Sequence, residues 1–387
     1  MNKKELELYI HIPFCVRKCS YCDFLSAPAT EQTREAYMAA LFAEIGERAK
    51  DYSDRTVTSI FIGGGTPSLL SGEQIGQLMD RIRDQFAMAQ DAEITMEVNP
   101  GTASAEKLRN FYTAGINRLS IGMQSAQAEE LKNLGRIHDF EGFCQVYREA
   151  VEAGFTNINV DIMSGLPGQT LASYRDTLEK VLHLEPMPQH ISAYSLIVEE
   201  GTPFAAMAER GELPLPEEET ERAMYEETIE VLAKYGFHRY EISNYARDGY
   251  ECRHNVGYWI RRDYLGFGIG AASLIDNVRF QNEKSLGAYL AHPLESREEE
   301  QTLTVQDRME ETMFLGLRLT RGVSCVDFAE QYGRTVEEVY GEVIARNVAD
   351  GLLTVTERKE NQKKDRFLAL TKRGLDLSNY VMAQFLF

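Results

Sequence analysis

The sequence has few basic residues and lacks a long apolar run. Its 387 residues include 41 Lys and Arg against 60 Asp and Glu, which gives a formal net charge of −19. Because such a surface repels phosphate backbones, wholesale nucleic-acid binding is not expected. No run of about 18 apolar residues occurs, so no membrane-spanning helix is expected either. With 43% hydrophobic residues, the chain can still bury a sizeable core.

The first residues lack the pattern of a signal peptide, because Glu5, Glu7 and His11 interrupt their short apolar stretch. We therefore expect a cytoplasmic protein, whose thiols remain reduced.

Cysteine is also scarce, with six in the whole chain. Three of the six, Cys15, Cys19 and Cys22, nevertheless fall within one short segment of the sequence. In a reducing compartment, this grouping predicts a metal or catalytic site rather than a disulfide framework.

Short β-branched runs alternate with amphipathic helical patterns in the first two thirds of the sequence. This alternation predicts a parallel α/β sheet with crossover helices. The predicted strands are residues 6–12, 58–62, 93–98, 118–121, 157–162 and 190–196. The predicted helices are residues 33–50, 72–88, 105–114, 140–153 and 171–184.

Polar or glycine residues follow almost every predicted strand. Cys15, the run Gly63-Gly64-Gly65-Thr66-Pro67, Glu97, Gln124 and Asp161 each lie at or just after a strand end. Active sites of (β/α) barrels are built at the carboxyl ends of their strands. This placement therefore favours a barrel over an open doubly wound sheet.

A different pattern begins near residue 298. Helical patterns at 307–318, 336–349 and 375–385 surround two short strand-like runs, at 352–356 and 367–370. Helices followed by a hairpin resemble a small winged-helix-like domain. We place the boundary near residue 296, which predicts a barrel domain over residues 1–295 and a C-terminal domain over residues 296–387.

The cysteine triplet has the spacing C-x₃-C-x₂-C. A closed structural zinc site needs four ligands, and a ferredoxin-type 4Fe–4S cluster takes four cysteines. Three thiolates on such a cluster leave one iron open for an exchangeable ligand. The alternatives are a zinc site completed by His11 or Asp23 and a conventional four-ligand cluster.

The motif Tyr9-Ile10-His11-Ile12-Pro13-Phe14-Cys15 and the triplet that it opens resemble the radical S-adenosylmethionine (SAM) superfamily, and within it the oxygen-independent coproporphyrinogen III oxidase group. The sequences GGGTPS at 63–68, SIGMQS at 120–125 and DIMSGLP at 161–167 resemble the same group. The resemblance implies a partial (β/α)6 barrel. It also implies a 4Fe–4S cluster on the triplet, whose open iron is chelated by SAM and whose reduction cleaves SAM to a 5′-deoxyadenosyl radical.

The matching motifs imply which residues contact SAM, and each polar one alone could also be a strand-end hydrogen bond or a helix cap. Close backbone approach to the methionine moiety is expected at the glycines. The implied SAM residues are Tyr9, Tyr21, Gly64, Gly65, Thr66, Glu97, Gln124, Arg136 and Asp161.

Two features select one branch of the group. Phe24 stands where the decarboxylating oxidases have a fourth cysteine, and only about eight residues precede the first motif, where those oxidases have a long arm. The run H-N-x-x-Y-W at 254–259 resembles the heme chaperones of the group. This resemblance implies that His254 is an axial heme-iron ligand and that Tyr258 and Trp259 pack against the macrocycle. Cys252 is an alternative ligand.

The resemblance as a whole implies a heme chaperone that binds one 4Fe–4S cluster, SAM and heme, with no assigned catalytic residue. It would pass heme to acceptor hemoproteins, respiratory or otherwise, at the inner face of the membrane, as a monomer or homodimer. The alternative function is oxygen-independent coproporphyrinogen III dehydrogenase of porphyrin biosynthesis, which removes two propionate carboxyl groups. A radical SAM methylase or heme-opening enzyme is a further enzymatic alternative.

Overall fold

Six parallel strands form a partial barrel in the N-terminal part of the chain. The computed structural model describes residues 4–295, 297–360 and 363–387. Neighbouring barrel strands pair in chain order, which confirms the predicted fold class. The strands are β1 (Lys4–Ile12), β2 (Arg55–Gly64), β3 (Ala87–Val98), β4 (Arg118–Gln124), β5 (Ile158–Ser164) and β6 (His190–Ser195).

Side chains alternate along each barrel strand between an apolar outer face and a polar inner face. On β1, Leu8 and Ile10 are fully buried in the apolar core, whereas Glu7 and His11 belong to the buried polar set. This alternation follows from the two-residue period of a strand. The barrel interior is therefore unusually polar, and this sets the chemistry of the site.

Helices cover the outer face of the barrel, and α2 shows how they form. Ser71 begins α2 with a capping box to Gln74, and the helix buries Ile75 and Met79. The expected helix over residues 72–88 is too long, because the backbone is already extended at Phe86 and leads into β3. The helices of this layer are α1 (Glu31–Arg48), α2 (Gly72–Gln85), α3 (Ala105–Thr113), α4 (Ala128–Leu134), α5 (Phe140–Glu152) and α6 (Leu171–Leu182).

The sheet continues beyond the six parallel strands at both edges. β8 pairs antiparallel with β6, and β9 pairs parallel with β1 on the opposite edge. Helix α9 packs against β2 on the inner side of this curved sheet. The elements are α7 (Pro203–Glu209), α8 (Glu218–Lys234), β7 (His238–Arg239), β8 (Asn244–Ala246), α9 (Arg253–Trp259), β9 (Tyr264–Phe267), β10 (Ala272–Ile275), β11 (Val278–Asn282), α10 (Leu286–Ala291) and β12 (Arg297–Thr302).

The C-terminal part has its own three-stranded sheet and its own core, as the winged-helix-like pattern predicts. Its core includes Met313, Phe328 and Val381. The predicted boundary at residue 296 lies outside the described residues, and β12, which follows it, still pairs with β11 of the large sheet. The elements are α11 (Val305–Gly316), β13 (Val323–Ser324), α12 (Cys325–Tyr332), α13 (Val336–Ala349), β14 (Leu353–Glu360), β15 (Lys363–Leu370), α14 (Lys372–Asp376) and α15 (Ser378–Ala383).

Within the described ranges, no helix combines the length and the apolar character needed to cross a bilayer.

Candidate functional site

A cavity of about 480 Å³ lies at the carboxyl ends of the barrel strands. Its size falls in the range of small-molecule and cofactor sites, about 300–1,000 Å³. Its position is the one that the polar strand ends predict. The predicted cofactor residues that line it are Cys15, Cys19, Tyr21, Cys22, Gly64, Gly65, Thr66, Glu97, Gln124, Arg136 and Asp161.

The three cysteines of the triplet are free thiols that reach this one cavity. Thr66 Oγ1 donates to Cys15 Sγ over 3.3 Å, and Arg136 Nη1 donates to Cys19 Sγ over 4.0 Å. Hydrogen-bond donors and a nearby cation favour the thiolate form, which is the form that binds metal. Burial, by contrast, raises the pKa of Cys22. Among the described residues, no three His, Cys, Asp or Glu side chains converge on a single-ion site.

The loop that carries the cysteines is held on both sides by backbone hydrogen bonds. The Cys15 amide donates to the Ala27 carbonyl over 3.1 Å, and the Ser20 amide donates to the Leu134 carbonyl at the end of α4 over 3.0 Å. The Phe204 amide of α7 donates in turn to Ser20 over 3.0 Å. Helix α4 is not predicted from the sequence, yet the end of this short helix anchors the middle of the triplet.

Gly64 and Gly65, at the end of β2, lie close to the end of β1 and the residues that lead to Cys15. Gly64 has φ +110°, and a Cβ on Gly65 would lie 2.7 Å from the Phe14 carbonyl oxygen. The Gly65 amide donates to Ile12, 2.8 Å away, which brings the two loops into direct contact. The family resemblance explains these glycines by close approach of the methionine moiety. In the structure, an added Cβ would instead meet the protein's own residues at the end of β1 and just after it. The SAM contact of these glycines stays a prediction.

Two carboxyl groups, those of Glu97 and Asp161, also line the cavity wall. Burial, reinforced by the nearby Asp161, raises the pKa of Glu97 to about 8. Burial also raises the pKa of Asp161, although Asn159 and Ser120 donate hydrogen bonds to it. Because both groups would ionise more readily beside a positive charge, this wall suits a cationic ligand such as the sulfonium of SAM.

Gln124 is held in a strained conformation next to these carboxyl groups. It has φ 68° at an irregularity in the β4–β5 register, a backbone region that non-glycine residues rarely adopt. The Tyr194 hydroxyl donates to Gln124 Oε1 over 3.0 Å and fixes the side chain. Strain of this kind clusters at ligand sites.

Tyr9 is the one predicted SAM residue that does not line the cavity. Its hydroxyl lies 3.0 Å from His11 Nδ1, and its ring stacks on Phe61. It therefore lies inside the barrel, beside the cavity wall.

His254 is enclosed in the barrel interior with both ring nitrogens occupied. Nδ1 lies 2.8 Å from Ser59 Oγ, Nε2 lies 3.0 Å from the Tyr258 hydroxyl, and the residue is 1% exposed. Burial, with a further contribution from the positive charge of Arg118, lowers the pKa of His254 to about 3. The ring is therefore neutral.

These contacts do not fit the predicted axial heme ligand, because an iron needs a free ring nitrogen and open space beside it. Trp259 lies apart, under the Arg318 guanidinium at 4.4 Å. The heme roles of His254, Tyr258 and Trp259 stay predictions that require α9 to leave the barrel.

Arg118 and Asn255 are two of the cavity residues that the sequence did not predict as part of the site. Arg118 opens β4 and is 2% exposed, and Asn255 is the second residue of the H-N-x-x-Y-W run. The two-residue period of β4 was the available signal, since it places Arg118 on the same face as Ser120 and Gly122, which also line the cavity.

The fold and the cavity together define a radical SAM protein. A family model described as the radical SAM superfamily matches residues 9–181, and one described as the HemN C-terminal domain matches residues 303–377. The solved structure of coproporphyrinogen III oxidase (HemN) from Escherichia coli, a radical SAM enzyme, superimposes with a TM-score of 0.84 at 28% sequence identity. That match covers 99% of this chain and 90% of the HemN chain.

Within this superfamily, the chain belongs to the HemW family of heme chaperones. The heme chaperone HemW of Bacillus subtilis is 38% identical over 385 residues, which is 98% of both chains. HemW of Escherichia coli is 37% identical over 358 residues, covering 90% of this chain and 92% of that one. The family resemblance read from the motifs is thereby confirmed.

Proposed function

We propose that this protein is a heme chaperone that holds a 4Fe–4S cluster and SAM in the barrel cavity and passes heme to acceptor hemoproteins. The observation that carries the proposal is the similarity to HemW of Bacillus subtilis, at 38% identity over 98% of both chains. The composition of the cavity supports the same view, since its three thiols and two carboxyl groups suit a cluster and a cationic cofactor.

Cys15, Cys19 and Cys22 would each bind one iron, and Thr66 and Arg136 would stabilise two of the thiolates through the hydrogen bonds described above. When bound, the cluster supplies one electron for the cleavage of SAM. Glu97 and Asp161 would hold the positive end of SAM. Gln124 and Tyr194 would fix the position of the ligand against β4 and β6.

Heme and its acceptors are the partners in this proposal. The acceptor would be a respiratory or other hemoprotein, met in the cytoplasm or at the inner face of the membrane. Apolar side chains are available beside the cavity mouth, where Phe24 is 59% exposed and Ile197 is 67% exposed. Such surface suits a flat apolar macrocycle.

The test is an anaerobic assay that follows two products in the same reconstituted preparation. The expected result is transfer of heme from this protein to an apo-hemoprotein, without consumption of coproporphyrinogen III in the presence of SAM and reductant. Decarboxylation to protoporphyrinogen IX without heme transfer would overturn the proposal.

The same assay addresses His254. A changed heme spectrum in His254→Ala would support the ligand role implied by the sequence motif, and would require α9 to move out of the barrel.

The second candidate function is coproporphyrinogen III dehydrogenase. It is favoured by the TM-score of 0.84 to HemN over nearly the whole chain. The exposed Phe24, in place of the fourth cysteine of the decarboxylating group, argues against it.

A further inference from the structure

The cavity also has polar lining residues to which the predicted cofactor contacts assign no role. Arg118, Asn159, Ser192, Asn244 and Asn255 all contribute to its lining. Most of these side chains hydrogen-bond to one another. Ser192 Oγ, for example, donates to Asn244 Oδ1 over 2.7 Å. Arg118 and Asn255 stand apart from this network.

Among the described residues, none is hydrogen-bonded to the buried Arg118 guanidinium. The residue is 2% exposed, and its Nε has no hydrogen-bond partner within the part of the chain that the structure describes. Nor does this side chain form an ion pair with any described residue. A buried charge left in this way is costly, because it has lost water without gaining a partner.

Two carboxyl groups, those of Glu93 and Asp161, interact electrostatically with Arg118. The oxygens of both groups accept hydrogen bonds from other residues. Glu93 accepts from the Arg253 amide over 3.1 Å and from the His254 amide over 3.2 Å, at the start of α9. Asp161 accepts from Asn159 over 2.6 Å. Among the described residues, neither carboxylate forms a hydrogen bond or an ion pair with Arg118.

Asn255 is the second lining residue outside this network. Its side chain lines the cavity and, among the described residues, has no hydrogen-bond partner. The neighbouring His254 and Tyr258 hold α9 in place through their mutual hydrogen bond and the contact with Ser59. In this arrangement the histidine of the H-N-x-x-Y-W run positions the helix, and the asparagine presents its amide to the cavity.

We propose that Arg118 and Asn255 form a carboxylate-binding subsite within the cavity. A guanidinium presents two parallel N–H donors that match a carboxylate, and the amide of Asn255 can donate a further hydrogen bond. The carboxylate could come from a porphyrin propionate or from the amino-acid end of SAM. Assignment of the subsite to a porphyrin propionate rests on the proposed heme function.

The test measures affinity in the full-length protein with two matched pairs of probes. Hemin is compared with hemin dimethyl ester, which lacks free propionates, and SAM is compared with decarboxylated SAM. The variants are Arg118→Gln, Arg118→Lys and Asn255→Ala. The control is Arg253→Gln, which removes a charge from the exposed side of α9, where Arg253 pairs with Asp91 at 2.9 Å.

Arg118→Gln removes one charge-assisted contact, so the affinity for the carboxylate probe should fall by about 10- to 100-fold. The affinity for the matched probe without the carboxylate should be unaffected. Arg118→Lys should restore little, because an ammonium lacks the planar fork. Asn255→Ala should weaken the same probe by a smaller factor and should fold, since it removes no hydrogen bond within the protein. Arg253→Gln should bind as the wild type does.

The outcomes distinguish a porphyrin propionate from the carboxylate of SAM. They also distinguish failure of the proposed subsite from failure of the proposed heme function. A loss confined to hemin assigns the subsite to a propionate, and a loss confined to SAM assigns it to the amino-acid carboxylate. Equal losses for both members of each pair, full rescue by Arg118→Lys, or no loss at all would overturn the subsite. Failure of the wild type to bind hemin would instead count against the proposed heme function, whatever the SAM pair shows.

Discussion

Thr66 Oγ1 donates a hydrogen bond to Cys15 Sγ over 3.3 Å, and this contact joins the loop after β2 to the first cysteine of the triplet. A donor at this distance stabilises a thiolate over a thiol. In Thr66→Val we therefore expect the cluster to lose iron to a chelator roughly two- to tenfold faster, the equivalent of one modest hydrogen bond. Thr66→Ser keeps the hydroxyl and should behave as the wild type. Equal rates for valine and threonine would show that the contact does not act on the cluster.

The three cavity cysteines should account for all of the bound iron. Anaerobically reconstituted protein is expected to carry about four irons per chain, as one cubane cluster requires. Replacing Cys15, Cys19 or Cys22 by Ala should abolish this content. The helical Cys144 provides the control, because it packs against the apolar core, away from the cavity. Zinc in place of iron after anaerobic purification would contradict the prediction.

Gly65 should contribute to the stability of the fold even when no cofactor is present. A Cβ at this position meets the carbonyl oxygens of Phe14 and Ile12 at 2.7 and 2.9 Å, and backbone atoms cannot move aside cheaply. Gly65→Ala should therefore lower the unfolding free energy of the cofactor-free protein by about 1–3 kcal/mol. Gly76 lies within α2 with nothing near its Cβ position, and Gly76→Ala should instead add about 0.5–1 kcal/mol. Denaturant titration compares the two, and an unchanged midpoint in Gly65→Ala would refute the packing argument.

His254 should make the fold sensitive to mild acid. Burial lowers the pKa of its ring to about 3, against about 6.5 in an unfolded chain. As the pH falls, the unfolded chain takes up the proton on this ring before the folded protein does. The contribution of His254 to the unfolding free energy is therefore complete above about pH 6.5 and is lost progressively toward pH 3. In this window, His254→Gln should reduce the slope of unfolding free energy against pH by up to about 1.4 kcal/mol per unit. An unchanged slope in His254→Gln would contradict the buried placement.

SAM binding should release protons near neutral pH. Burial, with repulsion from Asp161, raises the pKa of Glu97 to about 8, so this carboxyl is largely protonated at pH 7. A cation beside Glu97 favours the ionised form and expels the proton. Calorimetry in buffers of different ionisation enthalpy should detect the release, and Glu97→Gln should remove it. Release of the same size in Glu97→Gln would place the cation elsewhere.

The barrel could be predicted because its signals are local. The two-residue alternation in β1 and the glycines and polar residues that follow β2 and β3 are visible in the sequence, and parallel strands bring their carboxyl ends to one edge. The side-chain direction in α9 could not be predicted in the same way. The H-N-x-x-Y-W run marks a functional segment, but only the packed helix shows that His254 faces Ser59 while Asn255 lines the cavity.

Short elements and long-range pairings also escaped the sequence analysis. Helix α4 spans only seven residues, too few for a reliable helical period, yet its end receives the backbone hydrogen bond from Ser20. The need for a glycine at position 65 likewise depends on Phe14, a neighbour about fifty residues away in the chain. Contacts of this kind become visible only once the strands are assembled.

The placement of Trp259 gives the protein a built-in optical reporter. It is the only tryptophan in the chain, it ends α9, and the Arg318 guanidinium covers its ring at 4.4 Å. Next to it, Arg261 pairs with Glu311 of α11 at 2.9 Å. Selectively excited tryptophan fluorescence therefore reports from one known position on the contact between α9 and the C-terminal part, and displacement of α9 could be followed there without any label.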